Sequence, residues 1–196
     1  MSESQVKDVI VEAATKYFSK YGFSKTTMDE IARHIHKAKG VLYYYFKSKE
    51  ELFNEVLKKE LTFVKSELTQ IVNTETDALV TLKTYFLARL RLLNASPHYH
   101  ETLKADFFEK YHFVIDVRED FAEYERAQLT LILNKGKEEG YLDVRDINST
   151  VNTITMLGNS IEIPLFLQNK YAEYENSLEE LVGMIIRGLK NQKASQ

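Results

Sequence analysis

The chain of 196 residues reads as an all-α protein, with a three-helix head at its N-terminus and a larger helical body behind it, about nine helices in all. Three observations carry this. Apolar residues recur at i, i+3, i+4 and i+7 through nearly every segment. No strand-like alternation of any length competes with them, and there is no internal repeat or low-complexity tract. Two S/T-x-x-E capping boxes, Thr27 with Glu30 and Ser48 with Glu51, mark helix starts near the N-terminus.

In the first helix Val6, Val9, Ile10, Ala13, Ala14, Tyr17, Phe18 and Tyr21 form one apolar face, and Gly22 stops it. Thr27 then caps a short helix whose Met28, Ile31, Ala32 and Ile35 turn inward. A tight turn at His36-Lys37-Ala38 leads into Lys39 to Lys47, where Leu42 and Phe46 share one face for packing. Lys39, Val41, Tyr44 and Tyr45 are left to face outward, so one of the three consecutive tyrosines is expected to be buried and two exposed. An exposed helix carrying aromatics, hydroxyls and lysines suits a duplex groove. Ser48 starts the next helix, whose first amides, with Lys49, would suit a phosphate.

That helix is long, about six or seven turns, because Leu52, Phe53, Val56, Leu57, Leu61, Val64, Leu68 and Ile71 continue one stripe from head to body. Asn73-Thr74-Glu75-Thr76 is a polar break. Asp77 to Asn94 is amphipathic on Leu79, Leu82, Tyr85, Phe86, Ala88, Leu90 and Leu93. Ser96-Pro97 restarts the helix, and the stretch from His98 to Phe113 is rich in aromatics. Asp116 with Glu119 opens a helix that runs to about Glu139, with Gly140 as its C-cap. Asp146 caps a helix through Phe166 that Pro164 kinks near its end. The last helix carries Leu178, Leu181, Val182, Ile185, Ile186 and Leu189 in one stripe.

Composition narrows the chemistry. There is no Cys, which excludes disulfides, thiolate catalysis and thiolate zinc sites. No signal peptide and no bilayer-length apolar run are present, so a cytoplasmic protein is expected. The net charge of −3 divides unevenly, since residues 1–50 carry +3 and the remainder −6 by the same count. A basic head on an acidic body orients approach to a polyanion. No Gly-rich phosphate loop, Gly-x-Ser-x-Gly elbow or HExxH motif occurs, so neither enzyme activity nor a cofactor is expected. Glu109-x-x-His112 has di-iron spacing but no second copy, and His98 and His100 diverge on a helix, so no metal site is expected.

Ile31-Ala32-Arg33 followed by Lys39-Gly40-Val41-Leu42-Tyr43-Tyr44-Tyr45-Phe46-Lys47-Ser48-Lys49-Glu50-Glu51-Leu52-Phe53 closely resembles the DNA-binding domain of the tetracycline-repressor (TetR) family. Ala13-Ala14 through Tyr21-Gly22-Phe23, with Thr26-Thr27, matches the entry to that domain. The resemblance covers roughly the first third of the chain. It implies a helix-turn-helix DNA-binding domain over residues 1–47 and a helical effector-binding and dimerisation domain over 48–196. The implied function is sequence-specific transcriptional regulation by a ligand-released repressor, a homodimer on a near-palindromic double-stranded operator.

Matched residue by residue, the resemblance makes Thr27, Tyr45 and Lys49 phosphate-side contacts and places Lys39, Gly40, Val41 and Tyr44 near base edges. The aromatics Tyr85, Phe86, Phe107, Phe108, Tyr111, Phe121 and Tyr124 read as core, and in such a family some would line the cavity for a small-molecule effector. The last two helices offer more apolar surface than one body needs. By resemblance they form a four-helix bundle with a second copy through Ile154, Ile161, Leu165, Leu178, Leu181, Val182, Ile185, Ile186 and Leu189.

One departure stands out. Where the family usually carries Gly-Val-Ser, this chain has His36-Lys37-Ala38. The turn requires a positive φ, which predicts a left-handed backbone at His36. Ala38 cannot cap the following helix with its side chain, a loss of about 0.5–2 kcal/mol against Ser. Lys37 must snorkel to solvent or reach the DNA. These substitutions also sustain a rival reading, a helical ligand-binding or protein-interaction module with degenerate DNA readout.

Overall fold

The computed structural model describes residues 2–75, 77–104 and 112–191. Thr76, Phe107, Phe108, Glu109 and Tyr111 lie outside them. Among the described residues the α-helices are α1 (Glu3–Tyr21), α2 (Met28–His34), α3 (Lys39–Tyr45), α4 (Lys49–Thr74), α5 (Ala78–Asn94), α6 (Pro97–Thr102), α7 (Ile115–Glu138), α8 (Ile147–Ser160) and α9 (Tyr171–Leu189). A 3₁₀ turn, His112–Val114, precedes α7, and a π turn, Ile163–Leu167, separates α8 from α9. No strand forms among these residues; a single antiparallel bridge joins Leu142 to Lys190.

The starts and stops follow local chemistry. Ser2 caps α1 in a capping box with Gln5, Thr27 caps α2 in another with Glu30, and Asp77 accepts from the amides of Leu79 and Val80 at the head of α5. Asp146 does the same for Ser149 in α8. Each accepts from an amide that has no partner in the first helical turn. Gly22 (φ +79°) and Gly140 (φ +77°) end α1 and α7 in conformations that suit glycine.

The chain forms two compact units, residues 1–62 with 96–118 and residues 63–95 with 119–196. In the first, Ile10, Ala14, Ile31, Leu42, Leu52 and Leu57 are wholly buried. Phe53 is the hub of its aromatic centre, its ring centroid 5.2 Å from that of Phe18 and 5.1 Å from that of Phe23. Edge-to-face rings at such distances add roughly 0.5–1.5 kcal/mol beyond the area they bury.

In the second unit Leu90, Leu93, Tyr85, Leu133, Val151 and Val182 form the centre, with α9 lying along α5. Its last helix is tied at the C-terminal end by backbone bonds from Asp143 N to Leu189 O and from Asn191 N to Tyr141 O, both 2.8 Å. The helix expected to run through Phe166 with a kink at Pro164 instead ends at Ser160. Pro164 lies inside the π turn that follows, because proline removes the amide an α-helical ladder needs there.

Candidate nucleic-acid interface

The interface is built on the α2–turn–α3 segment. His36 has φ +52°, the left-handed backbone expected of it. The turn is closed by His36 N donating to Arg33 O at 3.2 Å and Lys37 N to Ala32 O at 3.0 Å. Ala38 is the N-cap of α3 and makes no side-chain cap bond, so the recognition helix starts without the help that serine would give.

Leu42 and Phe46 anchor α3 from below, at 0% and 2% exposure. Their spacing of four residues fixes which face is left over. Lys37, Lys39, Gly40 and Tyr44 lie exposed, and Val41 and Tyr45 are half-buried. The expectation that one of the three tyrosines is buried is corrected. Tyr43 is 42% exposed, Tyr44 72% and Tyr45 half-buried, because Leu42 and Phe46 already fill the inward face.

Several of these groups have partners within the chain. Lys39 Nζ lies 2.8 Å from Asp29 Oδ1, which raises the lysine pKa, and 5.6 Å from the centre of the Tyr43 ring. The Tyr44 hydroxyl donates to Glu3 Oε1 at 2.9 Å, and this bond, followed by the charge of Glu3, raises the phenol pKa. Thr27 Oγ1 accepts from Glu30 N at 3.3 Å and donates to Glu30 Oε2 at 2.7 Å. The hydroxyl bond, and after it one from Thr27 N to Glu30 Oε2 at 2.9 Å, hold the Glu30 carboxyl below its ordinary value. Neither Glu3 nor Asp29 was expected at this face, since each meets its partner across helices.

Lys49 is placed differently from the others. Its ammonium donates to Phe23 O at 2.9 Å and Thr26 O at 3.0 Å and sits 4.3 Å from the centre of the Phe23 ring. Partial burial lowers its pKa. It closes the chain between α1 and α2. At the start of α4, Ser48 Oγ accepts from Glu51 N at 3.1 Å while Glu51 Oε2 accepts from Lys47 N at 2.7 Å.

In the second unit Tyr85, Phe86 and Phe121 are buried and Tyr124 is half-buried. Tyr124 Oη donates to Lys65 O at 2.8 Å and pairs with Thr69. Tyr85 and Phe86 line a common cavity with Arg89, Glu125, Ile154 and Thr155, and Phe121 and Tyr124 lie outside its lining. Arg89 was missed. It falls on the buried stripe of α5, four residues after Tyr85 and four before Leu93, and that placement was the available signal.

Of the nine residues expected between two copies, Ile154, Leu165, Leu178 and Val182 are buried within the single chain. Ile161, Leu181, Ile185, Ile186 and Leu189 are half-buried. The same segment exposes Met156 (65%), Ile163 (51%) and Met184 (58%), three apolar side chains outside the expected set. Among the described residues no group of three His, Cys, Asp or Glu could hold a metal, and no helix is long and apolar enough to cross a membrane.

Comparison with known proteins locates the same segment. Residues 10–56 match the family described as bacterial regulatory proteins, tetR family. The HTH-type transcriptional regulator YhgD of Bacillus subtilis (strain 168) is 44% identical over 61 residues, 31% of this chain and 32% of that protein. The match thus spans about a third of that relative. The HTH-type transcriptional regulator QacR of Staphylococcus aureus (strain Mu50 / ATCC 700699) is 28% identical over 149 residues, 74% of this chain and 77% of QacR. The crystal structure of a transcriptional regulator from Cytophaga hutchinsonii ATCC 33406 superposes with a TM-score of 0.78 at 26% identity, covering 94% of this chain and 98% of that one.

Proposed function

We propose that this chain, whose residues 10–56 match the tetR family of bacterial regulatory proteins, is a member of that family and a sequence-specific DNA-binding transcriptional regulator. In this reading it is a repressor that acts as a homodimer on a near-palindromic operator and is released by a small-molecule effector. The observation that carries it is the left-handed turn at His36. It delivers α3 with its packing residues inward and Lys37, Lys39, Gly40 and Tyr44 outward, the arrangement a major-groove helix requires.

Lys39, Gly40, Val41 and Tyr44 then meet base edges, while Thr27, Lys37 and Tyr45 meet phosphates. Lys49 takes a structural role in this reading, since two carbonyl oxygens already hold its ammonium. Met156, Ile163 and Met184, with the half-buried stripe of α9, are the surface for the second copy. Two copies related by a two-fold axis put their α3 helices about 34–36 Å apart, one turn of duplex.

Effector binding in the second unit shifts the population of head spacings, and a spacing that no longer matches the operator weakens DNA binding. The unbroken α4, which contributes to both units, transmits the change. Such a protein works in the cytoplasm, where its operator lies, and regulation rather than catalysis is its activity.

The test is selection of bound sequences from a random duplex library by the purified protein at two salt concentrations. Enrichment of a palindrome supports the reading. Sequence-blind binding overturns it in favour of a helical ligand-binding or protein-interaction module with degenerate DNA readout.

A further inference from the structure

Helices α5 and α7 and the end of α8 converge on one buried arginine. The Arg89 side chain is 6% exposed. It bonds to Glu125 through Nε and, at 3.1 Å, through Nη2. Nη2 also reaches Glu162 Oε1 at 2.8 Å and Asn159 Oδ1 at 3.0 Å.

Beside this network lies the cavity that Tyr85 and Thr155 share with Phe86 and Ile154. Its free interior is about 10 Å³, room for one oxygen-sized group. The hydroxyls of both Tyr85 and Thr155 are buried with no hydrogen-bond partner among the described residues, and Tyr85 is 1% exposed. Buried polar groups are nearly always satisfied, so two on one cavity point to something that enters it. Gly158 also lines the cavity, and a Cβ there would make ordinary contact, 3.5 Å from Arg89 Nη1 and 3.8 Å from the Phe86 ring.

We propose that this cavity is the recognition point for the effector and that it takes an uncharged hydroxyl or carbonyl oxygen carried on an apolar molecule. The proposal rests on the reading of the chain as a ligand-controlled regulator. The class of ligand follows from what the cavity already contains. An entering carboxylate would have to compete with Glu125 for Arg89, and an entering ammonium would meet the guanidinium. A hydroxyl or carbonyl disturbs neither and pairs with Tyr85 and Thr155, which can each donate and accept. The phenol stays protonated as a donor, since burial and the nearby Glu125 both push its pKa up. Phe86 and Ile154 supply apolar wall, and the interior admits only the oxygen-bearing end, so the rest of the molecule lies outside it.

The test uses the full chain and three probes of one length, 1-hexanol, hexanoate and hexylammonium, at equal concentration and ionic strength. The readout is the shift in thermal unfolding midpoint. The expected result is that 1-hexanol raises the midpoint of the wild type more than either charged probe does. In Tyr85→Phe and in Thr155→Val that shift falls at least twofold. Gly158→Ala, which narrows the cavity and leaves both hydroxyls in place, lowers it as well, so a variant that fails to fold leaves others to decide.

No shift with 1-hexanol, an equal shift with the charged probes, or a full shift surviving in all folded variants would overturn the proposal. Sequence selection is measured on ligand-free protein. A chain that selects a palindrome and ignores 1-hexanol refutes this inference alone, whereas one that binds 1-hexanol and selects no sequence refutes the regulator reading.

Discussion

His98 Nδ1 lies 2.9 Å from Glu60 Oε1, and on the other side of the ring Nε2 faces Thr15 O and Ser19 Oγ, both at 3.1 Å. A carbonyl oxygen only accepts, and Ser19 Oγ donates its own proton to Thr15 O at 2.8 Å, so Nε2 must carry a hydrogen. Glu60 also accepts from Tyr99 N at 2.9 Å, so one carboxylate of α4 holds the start of α6 while the same imidazole reaches α1.

Removing that carboxylate leaves a buried imidazole nitrogen and an amide short of a partner. Glu60→Ala is expected to lower the free energy of unfolding by about 2 kcal/mol, measured by urea titration. Glu180→Ala is the control. Its bond to Arg187 at 2.7 Å joins side chains that are 66% and 62% exposed, and its loss should stay within about 0.5 kcal/mol. Equal losses would mean that the His98 contact contributes no more than a surface pair.

The α2–α3 turn has two separable costs. His36 is held at φ +52°, a conformation that costs an L-residue about 1–2 kcal/mol. His36→Gly should therefore keep or raise the thermal midpoint, and the β-branched His36→Val should lower it. Ala38→Ser restores a side-chain cap and should add about 1 kcal/mol. If Ala38→Ser stabilises α3 without tightening DNA binding, the soft start of this helix is not what limits recognition.

Gly136 lies inside α7 for a packing reason. A Cβ at this position would stand 2.5 Å from Leu142 Cδ1 and 3.1 Å from Ala78 Cβ. Gly136→Ala gains helix propensity but has to displace Leu142, and a net loss of about 1–3 kcal/mol is expected by chemical denaturation. An unchanged midpoint would show that the loop after α7 yields freely.

Lysines that neutralise phosphates are recognised by salt. Lys37→Ala, at an exposed position in the turn, should reduce the slope of log affinity against log salt by about one. Lys49→Met should leave that slope unchanged and lower stability, because the ammonium is bonded to Phe23 O and Thr26 O. A reduced slope for Lys49→Met would return this residue to the DNA contacts.

Much of the architecture was legible because helices declare themselves locally. The stripe from Leu52 to Leu68, the caps at Thr27 and Asp146, and the left-handed His36 all depend on residues within a few positions of one another. What was not legible depends on meetings between helices. One tyrosine of the three at 43–45 reads as buried because periodicity cannot say that Leu42 and Phe46 already fill the inward face. The pairing of Lys39 with Asp29 and of Tyr44 with Glu3 leaves no trace at sequence separations of ten and forty-one residues. An apolar stripe likewise announces burial but not the partner, and Leu178 and Val182 are covered within their own chain.

The π turn at Ile163–Leu167 also sets the register in which the chain enters α9. A π turn closes over one more residue than the α-helical turn it replaces. Relatives in which α8 continues as an ordinary helix should therefore align to this chain only with a one-position gap between 161 and 168. Deleting a single residue there should give the segment the register of an ordinary helix and rotate everything after it by one position.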